Sequence, residues 1–351
     1  MPGTDPAEAC RVVFGELPEL PYLPELPDRG PGADITGRTA ALLVDLAVEV
    51  TSAGWKLTDR PGRDLSRAAG YWSQDLDTLE EAAAGYVGPL KIQVCGPWTL
   101  AATLELSHSA NAALSDPGAV ADLTASLAEG LAAHAADVRR RVPGATLVVQ
   151  VDEPSLPAAL AGRVPTASGL GTVAPVDRII ASQRLAAVLA APSAATVVHC
   201  CGRAASAFGE MQAAGATAVG FDLSELPPRE TDRIAELADA GLGLLVGALP
   251  TASAARLSIA PPEPAPRDAR KAAAPTDPRR GAAQGAARQT ATEVVAMWRR
   301  TGLSPGLLPE QVVVTPACGL AGVSPAAARA ALRHCREAAR IAAEMTEESG
   351  G

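Results

Sequence analysis

Four short polar clusters stand just after apolar runs that read as strands, and their residue types are those that bind metal ions or charged small molecules. His199-Cys200-Cys201 follows the run 196–198, Asp222 follows 218–221, Pro316-Ala317-Cys318-Gly319 follows 312–315, and Asp152-Glu153-Pro154 follows 147–151. An imidazole, two thiols and a carboxylate form a soft-to-borderline donor set suited to zinc. Residue types alone leave a second reading open at each place. A buried cysteine is often just a small hydrophobe, a single histidine is often a hydrogen-bonded core residue, and an aspartate before a turn often caps local amides. Trp98, after Gly96-Pro97, is either packing or an apolar wall for a ring system.

The elements that must position these residues alternate in type. Seven short apolar runs, 55–58, 90–94, 147–151, 196–198, 218–221, 243–246 and 312–315, alternate with longer Ala-rich amphipathic segments. That is the pattern of repeated βα units and a parallel sheet. In a parallel barrel the C-terminal strand ends are where distant residues converge on a ligand. Asp5-Pro6-Ala7-Glu8 opens a first helix through Val12 and Phe14. Asp116-Pro117 opens the clearest one, with Val120, Leu123, Leu127, Leu131 and Val138 at helical spacing before Pro143. Ser324-Pro325 opens the last. A further helix is expected over 34–51. The Leu-Pro repeats of 17–32 force extended backbone and read as a wrapped surface segment. The Ala/Pro/Arg-rich stretch 252–284 holds almost no large apolar residue and reads as a flexible insertion.

Composition bounds the function. The chain has 351 residues, 48% hydrophobic and 20% charged, which is enough apolar material for a large core. Its 32 glycines and 30 prolines belong to turns and irregular stretches. A net charge of -9, with no basic tract interleaved with aromatics, counts against a nucleic-acid partner. No apolar run is long enough to span a membrane, and six scattered cysteines read as reduced thiols of a cytoplasmic protein.

Five segments, Gly96-Pro97-Trp98-Thr99-Leu100, Gln150-Val151-Asp152-Glu153-Pro154, His199-Cys200-Cys201, Phe221-Asp222 and Pro316-Ala317-Cys318-Gly319-Leu320, resemble in order the C-terminal catalytic barrel of the cobalamin-independent methionine synthases. The resemblance implies a TIM-type (β/α)8 barrel over 1–351 as one domain. It places His199, Cys201 and Cys318 at zinc-ligand positions, and Asp222 where the family usually has a glutamate. Aspartate is one methylene shorter, which lengthens the contact or brings in a water, and Cys200 and Glu225 are the nearby alternatives. Asp152 matches the carboxylate that holds the amino group of homocysteine, with Glu153 beside it to orient it. Trp98 becomes a candidate donor-binding wall. Cys10, Cys95, His108, His134, His334 and Cys335 read as structural.

The activity implied is transfer of a methyl group to the thiol of homocysteine, giving methionine. A thiol with a pKa of roughly 8.5 is mostly protonated at neutral pH, and zinc deprotonates it. The donor is a folate or a methyl-corrinoid. Two alternatives stay open: a zinc-dependent alkyltransferase acting on another thiol, and a non-catalytic barrel that binds zinc or an amino acid. Asp152, on a different strand from the ligands, is expected to leave the metal alone. Seven strands are one short of a closed barrel, so a first strand is expected upstream of Met1.

Overall fold

Asp5, Asp116 and Asp177 each stand at the entrance of a helix and accept hydrogen bonds from its first free amides. Such caps contribute about 1 kcal/mol apiece and set where the helices begin. The computed structural model describes residues 1–256 and 278–347. In chain order, α1 (Pro6–Glu16) and α2 (Ile35–Ala40) precede β1 (Ala47–Thr51), β2 (Gly54–Thr58) and α3 (Arg63–Ala82). Next come β3 (Gly88–Cys95), α4 (Pro97–Thr103), the short β4 (Leu104–Glu105), α5 (Pro117–Arg141) and β5 (Ala145–Asp152). They lead to α6 (Leu156–Leu160), α7 (Arg178–Ala190), β6 (Ala195–Cys200), α8 (Phe208–Ala213), β7 (Ala218–Asp222), α9 (Thr231–Asp239) and β8 (Gly243–Leu249). The described chain ends with α10 (Thr251–Arg256), α11 (Pro278–Thr301), α12 (Leu308–Gln311), β9 (Val312–Pro316) and α13 (Pro325–Glu347).

Strands β3, β5, β6, β7, β8 and β9 pair in that order, all parallel, in one curled sheet of six strands. The fold is α/β, with this half-barrel of the TIM type at its centre. Pleating divides each strand between two faces. Leu90, Ile92 and Val94 point to the helix-covered side and are buried in the main core with Leu147, Val149 and Val151. On the other, concave side Val197, Ala218 and Leu245 form a separate small apolar floor against Val148. Lys91, Gln93, Gln150, Asp152 and His199 share that concave face by parity. Polar groups therefore line one side of an otherwise apolar sheet. Among the described residues, no helix is long and apolar enough to cross a membrane.

Six of the seven expected runs lie within the sheet strands, and three expectations need correcting. Run 55–58 falls in β2, which pairs antiparallel with β1 and parallel with β4 in a separate three-stranded sheet. It never joins the half-barrel. The expected helix 34–51 breaks after Ala40, and its last part is the strand β1. Thr51 and neighbours such as Val48 and Val50 are β-branched and alternate across a hairpin, which outweighs the preceding Ala-Leu run.

The Leu-Pro segment is the third. Rather than wrapping the surface, it buries Leu23 and Leu26 in the main core. Tyr22 bridges Lys91 of β3 in parallel: Leu23 N donates to Lys91 O, and Lys91 N donates to Pro21 O, both at 2.9 Å. Tyr22 and Leu23 keep their amides, so prolines at 21 and 24 do not prevent this single contact. Of the expected insertion 252–284, residues 257–277 lie outside the described residues, and the flanks on either side are the helices α10 and α11. Below the hairpin, Arg29 forks onto Asp75 of α3 with two bonds of 2.8 Å, and Arg38 of α2 pairs with the same carboxylate while lying over the Trp72 ring.

Candidate functional site

The C-terminal ends of β5, β6, β7 and β9 carry the polar clusters. Strand register sets Asp152 directly beside His199, and His199 directly beside Gly220. Asp152 Oδ1 accepts from Gln150 Nε2 at 2.7 Å and stands 3.0 Å from His199 Nδ1. On the ring's other side, a Cβ on Gly220 would lie 2.8 Å from His199 Cδ2, so only glycine admits the imidazole in this pose. Backbone bonds of 2.8 Å from Gly96 N to Asp152 O and from Glu153 N to His199 O tie the three strand ends together.

The two candidate thiols meet across the sheet opening. Cys318 follows β9, whose end is drawn in by a 2.9 Å bond from Ala317 N to Leu249 O. A Cβ at Gly247 would fall 2.7 Å from Ala317 Cα, so the absent side chain is what lets the Cys318 turn approach. The Cys201 and Cys318 thiols come near enough to influence each other's ionisation. The neighbouring Cys201, helped by the Gly319 amide, outweighs burial and holds the Cys318 thiol down at about 6. Beside Cys318 and partly buried, the Cys201 thiol is pushed well above the ordinary thiol range. Cys200 points the other way: it is fully buried, its Sγ bonds Gly202 O at 3.0 Å, and burial pushes its thiol up to about 11. Just beyond, Arg203 sits in the left-handed region at φ 52°, a strained turn that costs on the order of 1–2 kcal/mol and swings the chain away after Cys201.

Asp222 stands at the end of β7, but its Oδ1 is taken by Ser224, from the amide at 2.8 Å and the hydroxyl at 2.7 Å. It borders a small hollow with Cys200, Cys201 and Glu225. Among the described residues, no three of the histidine, cysteine, aspartate and glutamate side chains already stand close enough to hold an ion. The donors that do converge, two neighbouring thiols and an imidazole whose Nδ1 is spoken for, nevertheless suit zinc in type and leave Nε2 available.

Glu153 and Trp98 lie elsewhere than at an open surface. Glu153 is 0% exposed; its oxygens accept from Trp98 N at 2.9 Å, Thr99 N at 2.8 Å and Thr99 Oγ1 at 2.7 Å. Burial dominates these bonds and raises its carboxyl to about 7. It fastens the start of α4 to β5. Trp98 is buried in the core, with its indole N–H on Ala181 O at 3.1 Å. Conversely, the sequence reading passed over Glu25, Lys91 and Gln93. Gln93 Nε2 donates to Leu23 O at 2.7 Å, and Lys91 Nζ donates to Gln93 Oε1 at 3.2 Å. Burial raises the Glu25 carboxyl, against the pull of Arg38, and lowers the Lys91 ammonium, against Asp152 and Glu25. The signal was present in β3, where two polar residues at alternate positions interrupt a buried strand.

Known proteins match this chain over the ends of β5, β6 and β7. Residues 106–259 match the family model described as cobalamin-independent synthase, catalytic domain. That stretch is similar to the catalytic domain of the cobalamin-independent synthases. It contains Asp152, Glu153, His199, Cys201 and Asp222, while Trp98 and Cys318 lie outside it. A methyltransferase from Methanosarcina mazei is 15% identical with a TM-score of 0.53, the alignment covering 95% of this chain and 86% of that one, which shows a shared fold. A B12-independent methionine synthase from Shewanella sp. W3-18-1, solved in complex with selenomethionine, is also 15% identical, covering 79% and 68% of the two chains, with a TM-score of 0.49. No curated protein matches the chain.

Proposed function

We propose that this chain is a zinc-dependent methyltransferase that moves a methyl group to the thiol of homocysteine, giving methionine, and that residues 1–351 act as one catalytic unit. The observation that carries the reading is an imidazole oriented by a carboxylate at the ends of β5 and β6, with Cys201 following it and the Cys318 turn drawn in at the end of β9. His199 Nε2, Cys201 and Cys318 would hold the metal, with Asp222 as the fourth ligand if it releases Ser224. Bound there, zinc supplies Lewis acidity that keeps the acceptor thiol deprotonated at neutral pH.

The chain's own residues do the rest. Asp152, on the concave face, offers negative charge to the acceptor's ammonium. The apolar floor of Val197, Ala218 and Leu245 excludes water from beneath it. In the transfer the acceptor sulfur forms its bond to the methyl carbon as the donor's bond to that carbon breaks, and the electron pair leaves with the donor. A methyl-folate or a methyl-corrinoid meets that requirement.

The test is turnover of homocysteine by zinc-loaded protein with each donor in turn, alongside calorimetric titration of homocysteine. Methionine formed with one of them supports the reading. Zinc-replete protein that neither binds homocysteine nor methylates it refutes the reading.

A further inference from the structure

In the reading above Asp152 faces an ammonium, yet one of its two oxygens is already committed within the protein. Oδ1 receives Gln150 Nε2 at 2.7 Å and lies 3.0 Å from His199 Nδ1. A carboxylate oxygen only accepts, so Nδ1 carries the hydrogen and Nε2 is left with a free lone pair. The three residues stand on adjacent β5 and β6 within continuous parallel pairing, Gln150 opposite Val197 and Asp152 opposite His199. Rigid strands rather than loops therefore set the spacing, and Gly220 closes the other side of the ring. A single carboxylate beside a histidine can swing about its side-chain torsions. A second donor on the same oxygen removes that freedom.

We propose that Gln150 and Asp152 are positioning residues for His199: together they hold the imidazole as the Nδ1–H tautomer with Nε2 presented toward Cys201 and Cys318, and they leave Asp152 Oδ2 for the acceptor's ammonium. This deepens the proposed function and depends on it only for the identity of the acceptor. One carboxylate then serves two partners through two oxygens, so metal affinity and acceptor affinity are linked by its orientation. Asp152, although on a separate strand, then acts on the metal through His199, which the neighbouring strand brings to it.

The experiment begins with metal-free, full-length protein and reads the tautomer by long-range nitrogen–proton correlation spectra. The chain has only 4 histidines, and His199→Gln identifies the signal. Wild type is expected to show His199 protonated on Nδ1. Asp152→Ala and Gln150→Leu lose that preference, whereas Asp152→Asn, which retains an acceptor oxygen, keeps much of it. The same proteins are then titrated with cobalt(II), followed by the thiolate charge-transfer band. Affinity falls about 10–100-fold in Asp152→Ala and less in Asp152→Asn, as expected when the partner of a ligating histidine is removed. An unchanged tautomer in both Asp152→Ala and Gln150→Leu, or unchanged cobalt affinity in both, overturns the proposal. If the tautomer and cobalt results hold while homocysteine fails to bind wild type, the positioning role stands and the acceptor assignment falls.

Discussion

Replacing Glu153 by glutamine separates a clamp from a substrate contact. Its two oxygens take three hydrogen bonds from Trp98 and Thr99 at the head of α4. An amide offers only one accepting oxygen, so a buried backbone N–H loses its partner, costing about 1–3 kcal/mol. The wild-type carboxyl also titrates differently in the two states. Burial raises it from 4.5 to about 7 in the folded protein, so between those values the folded chain holds a proton the unfolded chain has released. Its contribution to stability is therefore full below about pH 4.5 and is lost as pH rises through about 7. At about 1.4 kcal/mol per pH unit, the whole window is worth about 3 kcal/mol. Glu153→Gln has no such titration, so it is weaker than wild type by about 1–3 kcal/mol at pH 5 and close to it at pH 8. Urea denaturation at pH 5, 6, 7 and 8 measures that gap. A gap that stays constant across the series refutes the reasoning. Calorimetry with homocysteine completes the test, because loss of binding with unchanged stability would make Glu153 a substrate contact instead.

Cys201→Ser and Cys318→Ser should each lose most of the bound zinc by metal analysis, while Cys200→Ser, whose thiol faces Gly202 in the core, should retain it. Asp222→Ala distinguishes a ligand from a cap: several-fold weaker zinc binding marks a ligand, and unchanged binding with a small loss of stability, about 1 kcal/mol, marks the cap of Ser224. Gly130→Ala should destabilise by about 1–3 kcal/mol or more in thermal melts, since the added Cβ would stand 1.8 Å from the backbone atom Leu42 O and the backbone must shift to admit it.

The half-barrel was legible in the sequence because its strands obey one local rule. Short β-branched runs such as those in β5 and β9 are bounded by helix caps, and each falls within an observed strand. The hairpin at β1 and β2 was not legible as such, because a run like Trp55–Leu57 shows no difference between parallel and antiparallel partners until its neighbour is known. The Leu-Pro segment misled for a related reason. Proline content rules out a long ladder, yet says nothing about one bridge or about burial of the intervening leucines. At the site, residue types at strand ends together with the family resemblance pointed to His199, Cys201, Asp222, Cys318 and Asp152. Glu153 and Asp152 are chain neighbours, but pleating sends one into the core and the other to the concave face, a division that composition does not show. The pairing of Asp152 with His199 depends on register between strands 47 residues apart along the chain.

The Leu-Pro segment has one more consequence, for how copies of this protein behave toward each other. An uncovered parallel strand edge is a template on which a second chain can add. Along the free side of β3, that template is occupied by a stretch with proline at 18, 21, 24 and 27. Its repeat of three is out of step with the strand repeat of two, so a ladder begun at Tyr22 meets a missing amide within a few residues. The segment satisfies Lys91 and offers an incoming strand almost nothing to continue from. It acts as a gatekeeper against aggregation as well as a side wall for the sheet. Replacing Pro21 and Pro24 by β-branched residues would therefore expose the molecule to edge-to-edge association before it impaired the chemistry.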